Sequence, residues 1–450
     1  MSPSLVRNDI PNENIVYWHG QHAKFFESGI NQEFIQILSR RGIVYAITSP
    51  DHKLYWKWEQ GHSNQWSDDV FSNYKENRNG EEIGLERAYF VAASYHHVLI
   101  LTDKIVDGIV SPDIGSSNFA FTELPNGERF KVPKRPSVVA IHVGSYDNPP
   151  FFGEDVINLQ TLVEGTSSVK QGQIYWLRDV EKALAFNEYI TYMACAAYTS
   201  VFVTSNGRLL VGGSNQFGEV GQSIATTPAT LRIEEHPFSR RNPNVKICKV
   251  ACGDHSIIAL STEGKIYVCG YNGSNELMLD SNRDIVEELC ESKRVNEITD
   301  HDPAIDVATQ YYHFLFLTKS GRIYMNGSDH NTTRTFTLPF SHDGTVFHKV
   351  ACVGATNYQF HACLINSQSD VCLVDISIQD QTKVIFMKKA VHIDSNKILW
   401  INGGEENRSP LCVYLKTQHV SGSSLQTKLA NHLTNVYGED GVDDILFRWM

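Results

Sequence analysis

The sequence predicts an all-β protein in which repeated β-sheet units are arranged as a closed ring. Three observations lead to this prediction: a repeat of constant length, a pair of glycines that recurs in each copy, and short strand-like runs around the first glycine. The chain has 450 residues, enough for such a ring or for two or three ordinary domains.

The repeat is clearest in three segments, 192–215, 250–272 and 306–329. Aligning them places the glycines Gly207, Gly264 and Gly321 in register, 57 residues apart each time. A second glycine repeats at the same interval, at Gly213, Gly270 and Gly327. Agreement over two dozen positions without a gap indicates internal repetition.

Weaker copies surround these three segments. Residues 42–61 resemble the unit, 89–103 match its first half, and 171–179 match the second half of a copy that begins near 137–144. The final copy is expected to open at 349–365 and to close at 394–404, with an insertion between. About seven units of this length fit the chain.

Each unit is predicted to contain a β-hairpin with flanking strands. The runs "HSIIAL" and "KIYVCG" alternate in polarity and are rich in β-branched residues, and "STEG" between them places Gly264 where a short hairpin loop favours a left-handed residue. A lone four-stranded sheet cannot bury both faces, so neighbouring units must stack and the ring must close. We therefore predict a seven-bladed β-propeller with four-stranded blades.

The two ends of the chain are predicted to lie outside the repeats. A lead segment, 1–33, contains a strand at 14–20 that could close the ring, the propeller covers 34–404, and a C-terminal extension covers 405–450. Leu425, Leu429 and Leu433 have the spacing of an amphipathic helix within 423–438. The apolar end 443–450, with Phe447 and Trp449, either docks on the propeller or anchors a partner.

Composition excludes several classes of function. The net charge of −12 argues against a broad nucleic-acid surface, so direct nucleic-acid binding is not expected. The sequence has neither a signal peptide nor an apolar run long enough to span a membrane, and its nine cysteines suit reduced thiols. We therefore expect a cytoplasmic or nuclear location, or both.

The sequence suggests neither catalysis nor a cofactor. Common nucleophile, phosphate-loop, dinucleotide and zinc motifs are absent. Cys248 and Cys252 would lie ~13 Å apart on a strand, too far to share a metal ion. We predict no catalytic residues, no metal and no cofactor.

The unit "ACGDHS", followed by "GKIYVCGYN", resembles the repeat of the regulator of chromosome condensation family. This resemblance implies a seven-bladed propeller that covers nearly the whole chain. WD-repeat and kelch propellers fit less well, because their repeats are shorter and no Trp-Asp dipeptide occurs.

The turn after the first strand of each unit has two interpretations. Asp254 and His255 align there with His96, Tyr198 and Tyr312. These side chains either seal adjacent blades or form a surface for partners. In the founding member of the family, acidic and histidine side chains from this turn on several blades promote nucleotide exchange on the small GTPase Ran, and the matching residues are Asp254, His255 and His96.

The match to this exchange surface is incomplete, since only one aligned turn carries an aspartate. The family also has a wedge that protrudes from one blade. Residues 145–156, with Asp147, Phe151 and Phe152, are either a comparable wedge or an ordinary loop.

Two functions follow from the resemblance and from these residues. The first is a non-catalytic scaffold that binds protein partners through turns and loops within a larger assembly. The alternative is a guanine nucleotide exchange factor for a Ran-like small GTPase. The missing acidic turns favour the scaffold, and a nucleotide-release assay would separate the two.

Overall fold

A computed structural model describes the chain over the following residues: 14–19, 24–27, 33–40, 43–49, 51–58, 87–94, 96–103, 105–106, 109–110, 118–142, 156–158, 174–273, 276–279, 283–310, 313–327, 347–355, 359–366, 370–377, 384–386, 391–392, 398–402 and 411–416.

Short strands make up most of the described chain. The N-terminal part contains β1 (Asn14–His19), β2 (Lys24–Glu27), β3 (Glu33–Arg40), β4 (Ile43–Ser49), β5 (Leu54–Trp58), β6 (Phe90–Ala93), β7 (His97–Asp103), β8 (Ile105–Val106), β9 (Ile109–Val110), β10 (Phe119–Glu123), β11 (Arg129–Pro133), β12 (Pro136–His142), β13 (Val156–Asn158) and β14 (Ile174–Leu177). The middle part contains β15 (Ile190–Cys195), β16 (Thr199–Thr204), β17 (Leu209–Ser214), β18 (Ala229–Glu235), β19 (Ile247–Cys252), β20 (Ser256–Ser261), β21 (Ile266–Tyr271), β22 (Ile285–Glu291), β23 (Ala304–Gln310), β24 (His313–Thr318) and β25 (Ile323–Gly327).

The C-terminal part contains β26 (Phe347–Ala355), β27 (Gln359–Asn366), β28 (Asp370–Ser377), β29 (Val384–Phe386), β30 (Val391–His392), β31 (Ile398–Asn402) and β32 (Leu411–Lys416). Three short helices follow the last strand of one sheet in chain order and precede the first strand of the next: α1 (Arg178–Ala183), α2 (Pro237–Arg241) and α3 (Lys293–Thr299).

Antiparallel pairing joins the described strands into seven sheets of three to five strands and two isolated hairpins, β8–β9 and β10–β11. Three of the larger sheets have the predicted four strands: β15 to β18, β19 to β22, and β31-β32-β1-β2. The first strands of the seven sheets contact one another in a circle, β3-β6-β15-β19-β23-β26-β31 and back to β3. The predicted all-β propeller architecture is confirmed, and the number of blades stays a prediction.

The sheet that joins the two ends contains the strand expected near residues 14–20. Strand β1 pairs antiparallel with β32, so that Val16 lies opposite Tyr414. The last described strand and the first thus share one sheet, which leaves no unpaired edge between the ends of the ring. The domain boundaries at 33/34 and 404/405 stay predictions.

Two unit assignments made from the sequence are wrong. Residues 89–103 and 137–179 do not form separate copies, because β6, β7, β12 and β14 belong to one sheet. Residues 394–404 do not close the copy that opens at 349, because β31 pairs with β32 while β26 to β29 form their own sheet. In the first case, the β10–β11 hairpin separates the second and third strands of the sheet and mimics a unit boundary.

The repeated glycines have a structural cause at the turn between the second and third strands. Gly264 has φ +78°, and a Cβ there would lie 2.5 Å from Cβ of Pro303. Its carbonyl accepts a hydrogen bond from the Ala304 N–H at 3.1 Å, and that of Gly207 accepts one from Ile247 at 2.9 Å. The glycine therefore makes the turn and also lets the first strand of the next sheet approach closely.

The ring has two faces that carry different turns. We call the face with the turns between first and second strands the rim face. The opposite face carries the turns between second and third strands, and we call it the hairpin face. The β10–β11 hairpin belongs to the hairpin face because it lies between β7 and β12, the second and third strands of their sheet.

Buried apolar side chains fill the space between sheets. The largest cluster includes Phe90, Phe202 and Val250, which come from three successive sheets. No helix in the described part of the chain is long and apolar enough to cross a membrane.

Candidate functional site

The turns predicted to bind partners share one backbone geometry on the rim face. In each, an N–H donates to a carbonyl three residues later: Ser94 to His97 at 2.8 Å, Ala196 to Thr199 at 2.8 Å, and Gly253 to Ser256 at 3.0 Å. This shared geometry explains why His96, Tyr198 and His255 occupy equivalent places.

The first two of these turns contact each other through side chains. The ring of His96 stacks on the ring of Tyr198, with centroids 4.3 Å apart and planes 18° apart. Beneath this stack, the buried His97 bridges the same two sheets, with Nε2 2.9 Å from Oγ of Ser200 and Nδ1 3.0 Å from Oγ of Ser94. His96 is buried and Tyr198 is half-buried, so part of the stack faces solvent.

The third turn joins the second through the backbone. The Ala197 N–H donates to the carbonyl of Asp254 at 3.0 Å. Asp254 and His255 are both half-buried. Three consecutive sheets are therefore tied together at the residues that the sequence singled out.

His255 belongs to an aromatic group that sequence reasoning missed. Its ring lies 4.3 Å from the ring of Phe217, which also meets Tyr271 edge to face at 5.5 Å. Phe217 is held by its own N–H, which donates to Oε2 of Glu219 at 2.9 Å. We call His96, Tyr198, Phe217, Asp254 and His255 the rim cluster.

The loop that presents Phe217 is organised by a buried asparagine. Asn215 accepts from the Val220 N–H at 3.0 Å and donates to the carbonyl of Thr227 at 2.7 Å. One repeat later, Asn272 accepts from the Leu277 N–H in the same way, at 3.0 Å. The signal was visible in the sequence, because Asn215 and Glu219 recur 57 residues later as Asn272 and Glu276.

Burial sets the charge of the two titratable groups beside Phe217. Desolvation raises the pKa of Glu219 to about 7, although the Phe217 N–H opposes this rise. Burial lowers the pKa of His255 below its ordinary value. His255 Nδ1 lies 3.9 Å from Oε1 of Glu219. Because burial disfavours the charged form of His255, this is a contact of a neutral imidazole and not an ion pair.

The rim cluster provides stacking surfaces, hydrogen-bonding groups and one carboxylate near solvent. Within the described residues, no group of three or more histidine, cysteine, aspartate or glutamate side chains is placed to hold a metal ion. Such a surface suits recognition of a protein, since aromatic side chains supply much of the binding energy at protein interfaces.

The remaining predicted partner-binding residues lie outside the described residues. They are Tyr312, Asp147, Phe151, Phe152, Phe447 and Trp449.

Comparison with known sequences supports the repeat. Residues 247–276 match the Regulator of chromosome condensation (RCC1) repeat. The chain is 26% identical over 204 residues to Protein pim1 of Schizosaccharomyces pombe, covering 43% of this chain and 32% of that protein. It is 26% identical over 142 residues to the X-linked retinitis pigmentosa GTPase regulator homolog of Caenorhabditis elegans, covering 30% of this chain and 9% of that protein. The matches thus span a third or less of these two relatives.

Comparison with solved structures supports the fold over most of the chain. Human WBSCR16 superposes with a TM-score of 0.58 at 12% identity, covering 90% of this chain and 99% of that one. Prp20p of Saccharomyces cerevisiae, studied for its binding to Gsp1p and histones, superposes with a TM-score of 0.57 at 12% identity, covering 94% and 95%. Together with the 57-residue repeats and the ring of sheets, these likenesses show a β-propeller fold in which residues 247–276 match one regulator of chromosome condensation repeat.

Proposed function

We propose that the chain is a non-catalytic binding scaffold that holds protein partners on its rim face. The observation that carries the proposal is the rim cluster, in which side chains from three consecutive sheets contact one another and stay partly exposed. Partners would be proteins in the cytoplasm or nucleus.

Preorganisation supports binding at this surface. The stack of His96 on Tyr198 and the hydrogen bond from Phe217 to Glu219 fix side chains that would otherwise lose conformational entropy on binding. The surface can therefore present aromatic groups to a partner at low entropic cost.

Nucleotide exchange on a Ran-like small GTPase is the second candidate. The pairing of Asp254 with His255 favours it, as does the likeness to Prp20p, whose binding to Gsp1p has been studied. Against it, the described turns place tyrosine rather than a carboxylate at 198, so the negative charge that could compete for the nucleotide's magnesium comes from a single turn.

The test combines partner recovery with nucleotide release. We expect Tyr198→Ala and Phe217→Ala to reduce recovery of stable partners from the native cell, whereas Glu263→Ala, an exposed change on the hairpin face, leaves recovery unchanged. Circular dichroism should show all three variants folded. Equal recovery by all three variants would contradict the proposal.

Fluorescent-nucleotide release from Ran decides between the two candidates. The scaffold proposal predicts that Ran releases its nucleotide at the same spontaneous rate whether or not the protein is present. Acceleration that Asp254→Ala abolishes would assign the exchange activity instead.

A further inference from the structure

The β10–β11 hairpin and its base, residues 118–135, lie against the first strands of neighbouring sheets, with contacts to β15, β19 and β23. We call these residues the channel hairpin. One face is buried through Leu124, Phe130 and Val132. At the tip, Asn126 Nδ2 donates to Oδ2 of Asp306 at 3.0 Å, which fixes the hairpin against an inner strand 180 residues away in sequence.

The outward face of the channel hairpin is apolar and basic. Phe121 is 72% exposed, and it lies opposite Lys131 in the antiparallel register. The Lys131 ammonium lies 4.2 Å from the ring centroid of Phe119. Arg129 pairs with Glu123 at 2.9 Å, and both side chains are more than half exposed. An aromatic side chain flanked by cations has the character of a docking surface.

Two further cations lie at the base of the channel hairpin. Lys134 and Arg135 are exposed, and no carboxylate among the described residues forms an ion pair with them. The chain as a whole carries a net charge of −12, so this concentration of positive charge is local. A matching occupant would carry carboxylates next to apolar side chains.

Residues 439–450 of the same chain have this composition. The sequence "EDGVDDILFRWM" places four carboxylates directly before or among five large apolar side chains, with Arg448 as its one cation. Residues 439–450 lie outside the described residues.

The last described strand ends on the hairpin face. β32 is the second strand of its sheet, as β7 is of its own, and the channel hairpin follows β7. Because equivalent strands of a propeller run in the same direction, β32 ends at Lys416 on the face that carries the channel hairpin.

The connection is long enough to reach the channel hairpin. Residues 417–438 could span up to ~70 Å when extended, at ~3.3 Å per residue. A compact chain of 450 residues has a radius of gyration of only ~22 Å. Distance therefore does not oppose docking.

We propose that residues 439–450 dock on the outward face of the channel hairpin, with their carboxylates beside Lys134 and Arg135 and their apolar side chains against Phe121. The segment would cover one of the two most exposed large apolar side chains in the described part of the chain, the other being Phe186. This docking is independent of partner binding on the rim face.

Photo-crosslinking in the full chain tests the proposal. With Phe121→p-benzoylphenylalanine, irradiation and mass spectrometry should show a cross-link from position 121 to residues 439–450. The matched control is Phe186→p-benzoylphenylalanine, since Phe186 is 93% exposed but lies between α1 and β15. The control should give no cross-link to this segment.

Charge reversal tests the specificity of docking. Lys134→Glu with Arg135→Glu should reduce the cross-link roughly fivefold, as expected for the loss of two exposed ion pairs. Adding Asp443→Lys and Asp444→Lys to that variant should restore the yield.

Three outcomes would overturn the proposal. The first is equal cross-linking from positions 121 and 186. The second is a yield that charge reversal does not change. The third is a cross-link found only between isotopically heavy and light copies in a mixture, because it would assign the contact to a second molecule.

Discussion

Lys249 and Asp306, which occupy equivalent positions in consecutive repeats, form a buried ion pair in which Nζ lies 2.5 Å from Oδ1. Burial disfavours the charged lysine, yet attraction to Asp306, Tyr192 and Glu128 raises the pKa of Lys249 above its ordinary value. The same register position thus carries opposite charges in two neighbouring sheets and links their inner strands.

Removing one partner of this pair should destabilise the fold strongly. Lys249→Met leaves the Asp306 carboxylate uncompensated, and we expect a loss of ~3 to 5 kcal/mol in the free energy of unfolding, measured by urea denaturation. Adding Asp306→Asn should recover part of the loss. Arg241→Ala, which breaks an exposed pair with Glu288, should cost less than ~1 kcal/mol, and similar losses in both single variants would contradict this role.

The turn glycines should differ in what they tolerate. At Gly264 the backbone has a positive φ, and the Cβ of an alanine would also lie too close to Pro303 and Ala304. We therefore expect Gly264→Ala to lower the free energy of unfolding by more than ~2 kcal/mol. Gly127 has a similar φ of +87°, but no heavy atom lies within 4 Å of the Cβ that an alanine would add. Gly127→Ala should therefore lower the free energy of unfolding by only ~1 to 2 kcal/mol. Thermal denaturation of both variants measures the difference. Equal losses of stability in the two variants would mean that the close contact between blades at Gly264 does not contribute to the effect of the substitution.

Glu219 should make stability depend on pH. Its folded pKa of about 7 exceeds the ordinary value of 4.5, so the unfolded state loses its proton first and stability falls as pH rises from about 4.5 to about 7. Glu219→Gln should remove this dependence and be more stable than the native protein at pH 8, by up to ~3 kcal/mol, but not at pH 4. Urea denaturation across this range gives both curves, and parallel curves would refute the assignment.

The stack of His96 on Tyr198 should couple two sheets energetically. A double-mutant cycle with His96→Ala and Tyr198→Ala should give ~0.5 to 1.5 kcal/mol of coupling in the free energy of unfolding. The control cycle pairs His96→Ala with Tyr324→Ala, since Tyr324 stacks on Phe316 in another sheet. Additive effects in both cycles would show that the rim contact does not seal the blades.

Much of the fold could be predicted because the repeat is a local pattern. The glycine register located the hairpins of β16–β17, β20–β21 and β24–β25. The copies at the two ends could not be assembled in the same way. Their sheets combine strands separated by the channel hairpin, or strands from both chain ends, and no local pattern shows such pairing.

The rim cluster was predicted only in part. Register alone aligned His96, Tyr198 and His255, because their turns repeat. It could not show that His96 contacts Tyr198, since that contact depends on how neighbouring sheets stack. Phe217 was missed because, although Asn215 and Glu219 recur in the next repeat, the position that matches Phe217 there is Ser274, so the aromatic residue itself does not repeat.

The rim cluster exists only if neighbouring sheets stack around one axis in a closed ring. The direct measurement is disulfide formation in the full chain carrying Val16→Cys and Tyr414→Cys, at positions that lie opposite each other in β1 and β32. We predict an intramolecular disulfide between these two positions under mild oxidation, and a much lower yield from the displaced pair Val16→Cys and Lys416→Cys. No bond within the molecule at 16 and 414, or equal yields from both pairs, would contradict the closed ring.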